Sequence, residues 1–412
     1  VLHFSGGATD EQVRESAVAV IEEEYDAKLS GAVQDFLYAA MGSYLADIYI
    51  PRRTAEDRWS RDFTLYLPVF RYSEWELATD SFAAALNFLT GDRWTISVRR
   101  RSQEEPHAAP TMYADQPRIA CLLSGGVDSL VGAINLLSRG ETVAFVSQHG
   151  GGLTPKFQNE TFQKLRERYT ELCHENQFYV VGPQLNDDRE NTMRSRSILF
   201  LGLGVAVASA LGSDVPLVVP ENGLISLNIP LTRTRAGSSS TRTTHPHFIA
   251  GVRQVLRELG VSNNIELPYR HNTKGEMLAY AEDQNTLRTI LRFTMSCSHP
   301  EASRWERTTP GIHCGYCFPC LIRRAAVSAA NLEEADVRYT YDVRVNPPEE
   351  DSEKHRDLRA VQMALRRDEQ ADRPSTFRVL EAGPLPPEEL SEFAKVYERG
   401  MAELKAFLDG NG

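Results

Sequence analysis

From Ile119 onward the chain follows one pattern, and this pattern limits the possible folds more than any other feature. Ile119 to Leu123 reads as a short apolar strand, Ser129 to Leu137 as a helix closed by Gly140, and Thr142 to Val146 as a second strand. A helix over Phe157 to His174, a strand over Phe178 to Val181, an apolar helix over Arg196 to Leu211 and a strand over Val215 to Val219 are expected next. Strands separated by helices of ten or more residues imply right-handed crossovers and a parallel sheet. The expected class is therefore α/β, a parallel sheet flanked by helices, with ligands at the carboxyl ends of the strands.

The first strand runs into Cys121-Leu-Leu-Ser-Gly-Gly-Val-Asp-Ser-Leu130, two glycines followed by a helix start. Glycines let backbone N–H groups approach an anion, and the helix N-terminus adds partial positive charge, so this turn suits phosphate. Ser124, Gly125, Gly126, Asp128 and Ser129 are the candidate phosphate-binding residues. The two serines add hydroxyl donors, and Asp128 either holds a metal or orients the loop. The competing reading is an ordinary strand-to-helix turn. Ser5-Gly-Gly-Ala-Thr-Asp10 is such a decoy, because it lacks the preceding strand and the Asp-Ser pair. No Gly-Lys-Ser/Thr element occurs, which excludes the Lys-containing loop of terminal phosphoryl transfer.

Four of the six cysteines, Cys297, Cys314, Cys317 and Cys320, cluster near the C-terminal third. Their spacing lets four thiolates gather one tetrahedral Zn²⁺ in a closed, structural site, with an iron–sulfur cluster as the rival occupant. Cysteines separated by two residues do not pair into unstrained disulfides, and no secretory signal is visible after Val1, so reduced thiols and a cytoplasmic location are expected. The start at Val1 rather than Met leaves room for an upstream piece. His299 and His313 read as bystanders to the cluster, and Cys121 and Cys173 as core residues.

At about 150 residues per domain, 412 residues make two or three domains. Residues 1–110 read as an N-terminal α+β accessory domain. Its expected helices run from Asp10 to Ala27, Ala32 to Leu45 and Trp75 to Thr90, and its strands from Ala46 to Ile50, Phe63 to Leu67 and Trp94 to Val98. Residues 116–330 form the sheet domain with the metal site at 297–320, and 331–412 a helical tail with helices near His355 to Arg367 and Pro387 to Leu408. The apolar run Ile198 to Gly212 is shorter than the roughly 20 residues that span a bilayer, so no membrane partner is expected. With 45 Lys plus Arg against 56 Asp plus Glu, the net charge of −11 argues against an extensive nucleic-acid surface. The charge is uneven. No acidic residue lies between Glu221 and Glu258, whereas Arg233, Arg235, Arg242, Arg253 and Arg257 do, a local surplus suited to phosphate or carboxylate. Glu221 and Asn222, at a strand's carboxyl end, are candidates for reading a purine-like edge. Arg233, Arg235 and Arg242 complete the candidate substrate-binding set.

Ser124 to Ser129 resembles the loop of PP-loop ATP pyrophosphatases, of the adenine nucleotide alpha hydrolase type, which adenylate a substrate oxygen and release pyrophosphate. Together with Ser296-Cys-Ser298 and His313-Cys-Gly-Tyr-Cys-Phe-Pro-Cys-Leu-Ile-Arg-Arg324, it resembles the 7-cyano-7-deazaguanine synthase family of queuosine biosynthesis over residues 116–330. Arg196-Ser-Ile-Leu-Phe-Leu201 looks like that family's Arg-containing helix start, and Thr273-Lys-Gly-Glu276 like its later Lys-containing one, although the latter also has capping-box spacing. The resemblance implies Asp128, Ser129, Arg196 and Lys274 as catalytic residues, with ATP, Mg²⁺ and Zn²⁺ as cofactors. It also implies adenylation of 7-carboxy-7-deazaguanine before an amine attacks.

The segment from Pro220 to Pro246 departs from the family pattern, and the chain carries extra residues at both ends. In these respects it is most similar to the queuosine-synthase-like proteins of Qat-type anti-phage operons. That similarity implies a partner protein whose N-terminal amine is the acceptor. The alternatives are an ordinary ammonia-using synthase and a non-catalytic nucleotide-binding scaffold. Thiolation of tRNA by the same loop type is disfavoured by the acidic balance and by cysteines committed to metal.

Overall fold

The computed structural model describes residues 3–4, 12–109, 116–149, 152–181, 190, 192, 194–232, 242–300, 311–370 and 374–410. The N-terminal region contains β1 (His3–Phe4), β2 (Gln12–Glu15), α1 (Ala17–Glu24), α2 (Gly31–Tyr49), β3 (Asp62–Val69), α3 (Tyr72–Thr90) and β4 (Arg93–Arg100). The sheet lobe begins with β5 (Ile119–Leu122), α4 (Val127–Ser138), β6 (Val143–His149), α5 (Thr154–Arg168), β7 (Cys173–Val181) and α6 (Arg196–Leu211). It continues through β8 (Leu217–Val218), α7 (Gly223–Leu227), α8 (Pro246–Glu258), β9 (Ile265–Glu266), α9 (Lys274–Ala279) and α10 (Gln284–Ile290). Further α-helices among the described residues are α11 (Phe318–Ala329), α12 (Arg356–Glu369), α13 (Ser375–Val379) and α14 (Leu390–Leu408).

The main sheet has the order β1-β2-β7-β6-β5-β8-β9 and is parallel from β7 to β9. The chain leaves β5 in one direction to form β6 and β7, then returns through α6 to place β8 on the other side of β5. The order therefore reverses between β5 and β8, where a crevice opens at the strands' carboxyl ends.

Both faces of the sheet are covered, and alternate residues divide between them. Ala120, Leu122, Ala144 and Val146 join the apolar cluster of α2, α3, α6 and α8, whereas Cys121, Leu123, Val143 and Phe145 join that of α4, α5 and α10. Of the 16 residues of α6, 13 are buried, so its apolar character all round places it between the sheet and α2. The first cluster runs continuously from Ala17 through Ile96 into the sheet, so the apolar core crosses the 1–110 boundary drawn from composition. A third cluster joins the four clustered cysteines to α12, α13 and α14.

Several elements differ from expectation. Ala46 to Tyr49 continues α2 and is not a strand. The Ser30 side chain caps that helix at Val33 N, and once nucleated it propagates through a five-residue alternation too short to resist it. The expected helix over Asp10 to Ala27 divides into β2 and α1, because Arg14 and Glu15 pair antiparallel with β7. The helix beginning at Thr154 stops at Arg168, because Cys173 to Gln177 are drawn into the ladder with Val143 to Ser147.

Candidate active site and metal centre

A cavity of about 810 Å³ opens at the crevice between β5 and β8. Ser124, Gly126, Asp128 and Ser129 line it from the loop after β5, and Glu221 from the turn after β8. Arg196 reaches it from the first residue of α6, and Lys274 from the first residue of α9. Tyr316, Phe318 and His299 form a wall beside the cysteine cluster, and Glu353, Lys354, Arg356 and Asp357 extend it from the C-terminal segment.

The loop is shaped mainly by its backbone. Gly125 has φ +78°, and an added Cβ there would lie 3.0 Å from Gln158 N, so both conformation and space call for glycine. Its carbonyl accepts from Met295 N at 2.8 Å, tying the loop to the segment leading into Cys297. Ser124 Oγ and Ser129 Oγ lie 3.2 Å apart, and Ser124 Oγ accepts from Gly126 N at 3.3 Å. The helix α4 begins immediately afterwards, so its first N–H groups face the cavity without intrahelical partners.

Side chains shape the opposite floor. Lys274 Nζ donates to Asp128 Oδ1 at 2.7 Å, and Asn222 Nδ2 donates to Asp128 Oδ2 at 2.7 Å. Asp128 thus fixes Lys274 within the cavity. Asn222 is fully buried, holds Asp128, and caps α7 through Ile225 N at 3.1 Å, so its side chain is committed to the turn and not to a purine edge. Thr244 Oγ1 donates to Glu221 Oε2 at 2.6 Å and lies 2.7 Å from Ser226 Oγ. Burial pushes the Glu221 carboxyl up to about 7, although the Thr244 hydrogen bond pulls the other way.

Arg196 has no carboxylate within ion-pair distance among the described residues. It donates to Gln148 Oε1 at 3.3 Å and lies over the Phe200 ring at 5.0 Å. Burial lowers its basicity. A half-buried cation with no carboxylate beside it is well placed to meet a bound phosphate.

The structure does not bring the whole arginine segment to the cavity. Arg233 and Arg235 lie outside the described residues. Arg242 turns away: its Nη1 donates to Phe88 O at 2.6 Å and its guanidinium lies 4.3 Å from the Phe88 ring centroid, held by α3 of the N-terminal region. Arg253 donates to Ile265 O, and Arg257 donates to Gln254 on the surface. The residues that follow Arg242, Thr243 and Thr244, do line the cavity.

The Sγ atoms of Cys297, Cys314, Cys317 and Cys320 lie within 4.8 Å of one another, and all four residues are buried. The pairs Cys297–Cys317 and Cys314–Cys320 are each 3.9 Å apart. A single ion about 2.3 Å from each sulfur in a tetrahedron places sulfurs about 3.8 Å apart, so this donor set fits zinc and leaves no room for a cluster of irons and sulfides. Backbone N–H groups of His299, Cys314 and Ser298 point at Cys297 and Cys317, as thiolates require. His313 is buried with its ring edge-on to Tyr339, outside the ligand set. Cys121 and Cys173 are buried in the sheet lobe.

Some cavity residues were missed in the sequence. Tyr316 and Phe318 stand between ligand cysteines, and that position was a usable signal. Thr244 and the segment from Glu353 to Asp357 carry none, since only the fold brings them here.

The sheet lobe, with its phosphate loop at the switch point, is similar to the PP-loop ATP pyrophosphatases of the adenine nucleotide alpha hydrolase superfamily, a likeness that points to ATP use. The particular match is to the family model described as "Thiamine biosynthesis protein (ThiI)", over residues 115–196, from the loop strand to the start of α6. No curated protein matches the chain. Among the described residues, no helix is long and apolar enough to cross a membrane.

Proposed function

We propose that the protein is an anti-phage defence ligase that adenylates 7-carboxy-7-deazaguanine with ATP and joins it to an amine, the N-terminus of a partner protein. The observation that carries this reading is the single cavity in which the phosphate loop, Arg196, Lys274 and Glu221 meet an aromatic wall. A carboxylate is a poor electrophile until its oxygen attacks the α-phosphorus and expels pyrophosphate. The amine nitrogen then attacks the acyl carbon, loses a proton, and AMP departs with the former carboxylate oxygen. The loop N–H groups, Arg196 and Lys274 are suited to the charge on the departing pyrophosphate. Mg²⁺ would accompany the ATP phosphates, where Asp128 of the loop and Glu221 across the cavity would be the carboxylates to meet it. The planar heterocycle would stack on Tyr316 or Phe318. Zinc, with all four positions taken by sulfur, would hold that wall and leave no site for water.

The test is incubation with ATP, Mg²⁺, 7-carboxy-7-deazaguanine and either ammonium or the candidate partner. AMP and pyrophosphate with a mass increase on the partner's N-terminus support the reading. A nitrile made from ammonium would instead identify an ordinary synthase, and ADP plus phosphate would reject adenylation. Nucleotide binding without turnover would favour the scaffold. Sulfur transfer finds less support, since all six cysteines are buried and four are gathered where they could hold one metal ion.

A further inference from the structure

Two of the cations that line the cavity occupy equivalent positions. Arg196 and Lys274 are each the first residue of a helix, and each follows a hydroxyl residue, Ser195 or Thr273. In both cases that hydroxyl donates to a carboxylate supplied from outside the sheet lobe.

Ser195 does not cap its own helix. Its Oγ donates to Asp47 Oδ2 at 2.6 Å, and its backbone N–H donates to the same oxygen at 3.2 Å. Asp47 lies on α2, fully buried, with its other oxygen paired to Arg61. Thr273 Oγ1 donates to Glu403 of α14, and the Gly275 N–H bonds the same carboxylate. A Cβ at Gly275 would stand 2.5 Å from Glu403 Oε1, so glycine admits the carboxylate to the first turn of α9. One turn earlier on α14, Arg399 pairs with Glu276 at 2.6 Å and donates to His271 O at 2.8 Å. Neither Asp47 nor Glu403 lines the cavity.

A carboxylate near a helix start is favourable in itself, which accounts for either contact alone. It does not account for the recurrence, from opposite ends of the chain, at the residue immediately before a cavity cation. We propose that Asp47 and Glu403 are positioning residues. They fix the first turns of α6 and α9, and so hold Arg196 and Lys274 at the phosphate loop. The N-terminal region and the C-terminal helices are then working parts of the site. This rests on the adenylation reading above for its kinetic readout, but not for its binding readout.

The experiment uses the full chain with Ser195→Ala, Ser195→Thr and Glu403→Gln. Ser195→Ala removes the hydroxyl contact while Asp47 keeps Arg61, so the fold is spared. Calorimetry gives the affinity for inorganic pyrophosphate with Mg²⁺, steady-state assays give kcat and KM for AMP release, and a melting curve reports the fold. Ser195→Ala and Glu403→Gln should each weaken pyrophosphate binding about 3- to 10-fold and lower kcat about 10-fold or more, since displacement of a charged group by an ångström is enough. The melting temperature should stay near that of the unmutated chain, and Ser195→Thr should restore both properties. Normally melting Ser195→Ala and Glu403→Gln proteins with unchanged pyrophosphate affinity and kcat would overturn the proposal and leave the adenylation reading intact. If the unmutated protein binds pyrophosphate but never releases AMP, the adenylation reading falls, and the affinity series still decides the positioning.

Discussion

Two surfaces of the cavity face each other but are built differently. The loop from Ser124 to Ser129 is a backbone surface, with a left-handed glycine, a helix start and two hydroxyls 3.2 Å apart. The floor opposite is a side-chain surface, in which Lys274 and Asn222 reach across to Asp128 of the loop, and Glu221, Thr244 and Ser226 interlock. A backbone surface tolerates no change at the few positions that set its dihedrals. A side-chain surface depends on charges arriving from distant segments, and it fails when one partner leaves another buried and unpaired.

Breaking the scaffold beneath the side-chain surface should have the largest effect. Cys317→Ser, or chelation, should remove several kcal/mol of stability, set against about 10–16 for isolated zinc modules. Melting curves paired with zinc analysis would show this, and an unchanged melting temperature with no bound zinc would refute the metal centre. Lys274→Met should come next, at about 3–5 kcal/mol, because it strands Asp128 in a buried site. Its turnover should fall about 10³-fold. Adding Asp128→Asn should recover part of the stability, which a double-mutant cycle measures.

Glu221 gives the contrast a pH signature. Its folded-state value is about 7 against an ordinary 4.5, so the native protein retains a proton that the unfolded chain releases between those values. Stability from this group is therefore present below about pH 4.5 and is lost as pH rises through 7. Glu221→Gln carries no such loss. Its advantage over the unmutated chain should be near zero at pH 4.5 and grow to about 2–3 kcal/mol at pH 8. Urea titrations across that range would expose a flat difference if the carboxyl is ordinary. On the backbone surface, Gly125→Ala should cost about 1–2 kcal/mol through its positive φ, with ATP affinity lowered about tenfold. The smallest effect should be that of Arg242→Ala, about 1 kcal/mol or less of stability from the lost contact with Phe88, with AMP release within twofold. A larger loss of turnover would return Arg242 to the cavity.

The same contrast explains what could be read from the residues. The strand-loop-helix from Ile119, the apolar α6 and the cysteine spacing are local signals, each produced by neighbours in the chain. The Ala46 to Ile50 segment misled because five alternating residues fit a strand as well as the last turns of a helix whose cap lies at Ser30. Arg242 misled because charge counting shows a cation but not its direction, and Phe88 is far away in the chain. Asn222 was placed at the right strand end, but its bonds to Asp128 and Ile225 depend on a turn that only the assembled sheet defines. The braces at Ser195 and Thr273 were illegible for the same reason. Each joins residues more than 100 positions apart.

The helix α6, buried on nearly all sides, has a practical consequence. Its outer face rests on α2 and shares one apolar cluster with Phe36, Leu37 and Ala40. A fragment trimmed to begin near Arg118 would keep every motif residue yet leave that greasy helix bare to water, inviting precipitation before any chemistry could be assayed. Lineages that shed the chain's first hundred residues would have had to repaint α6 with polar side chains, a change that sequence comparison alone could detect.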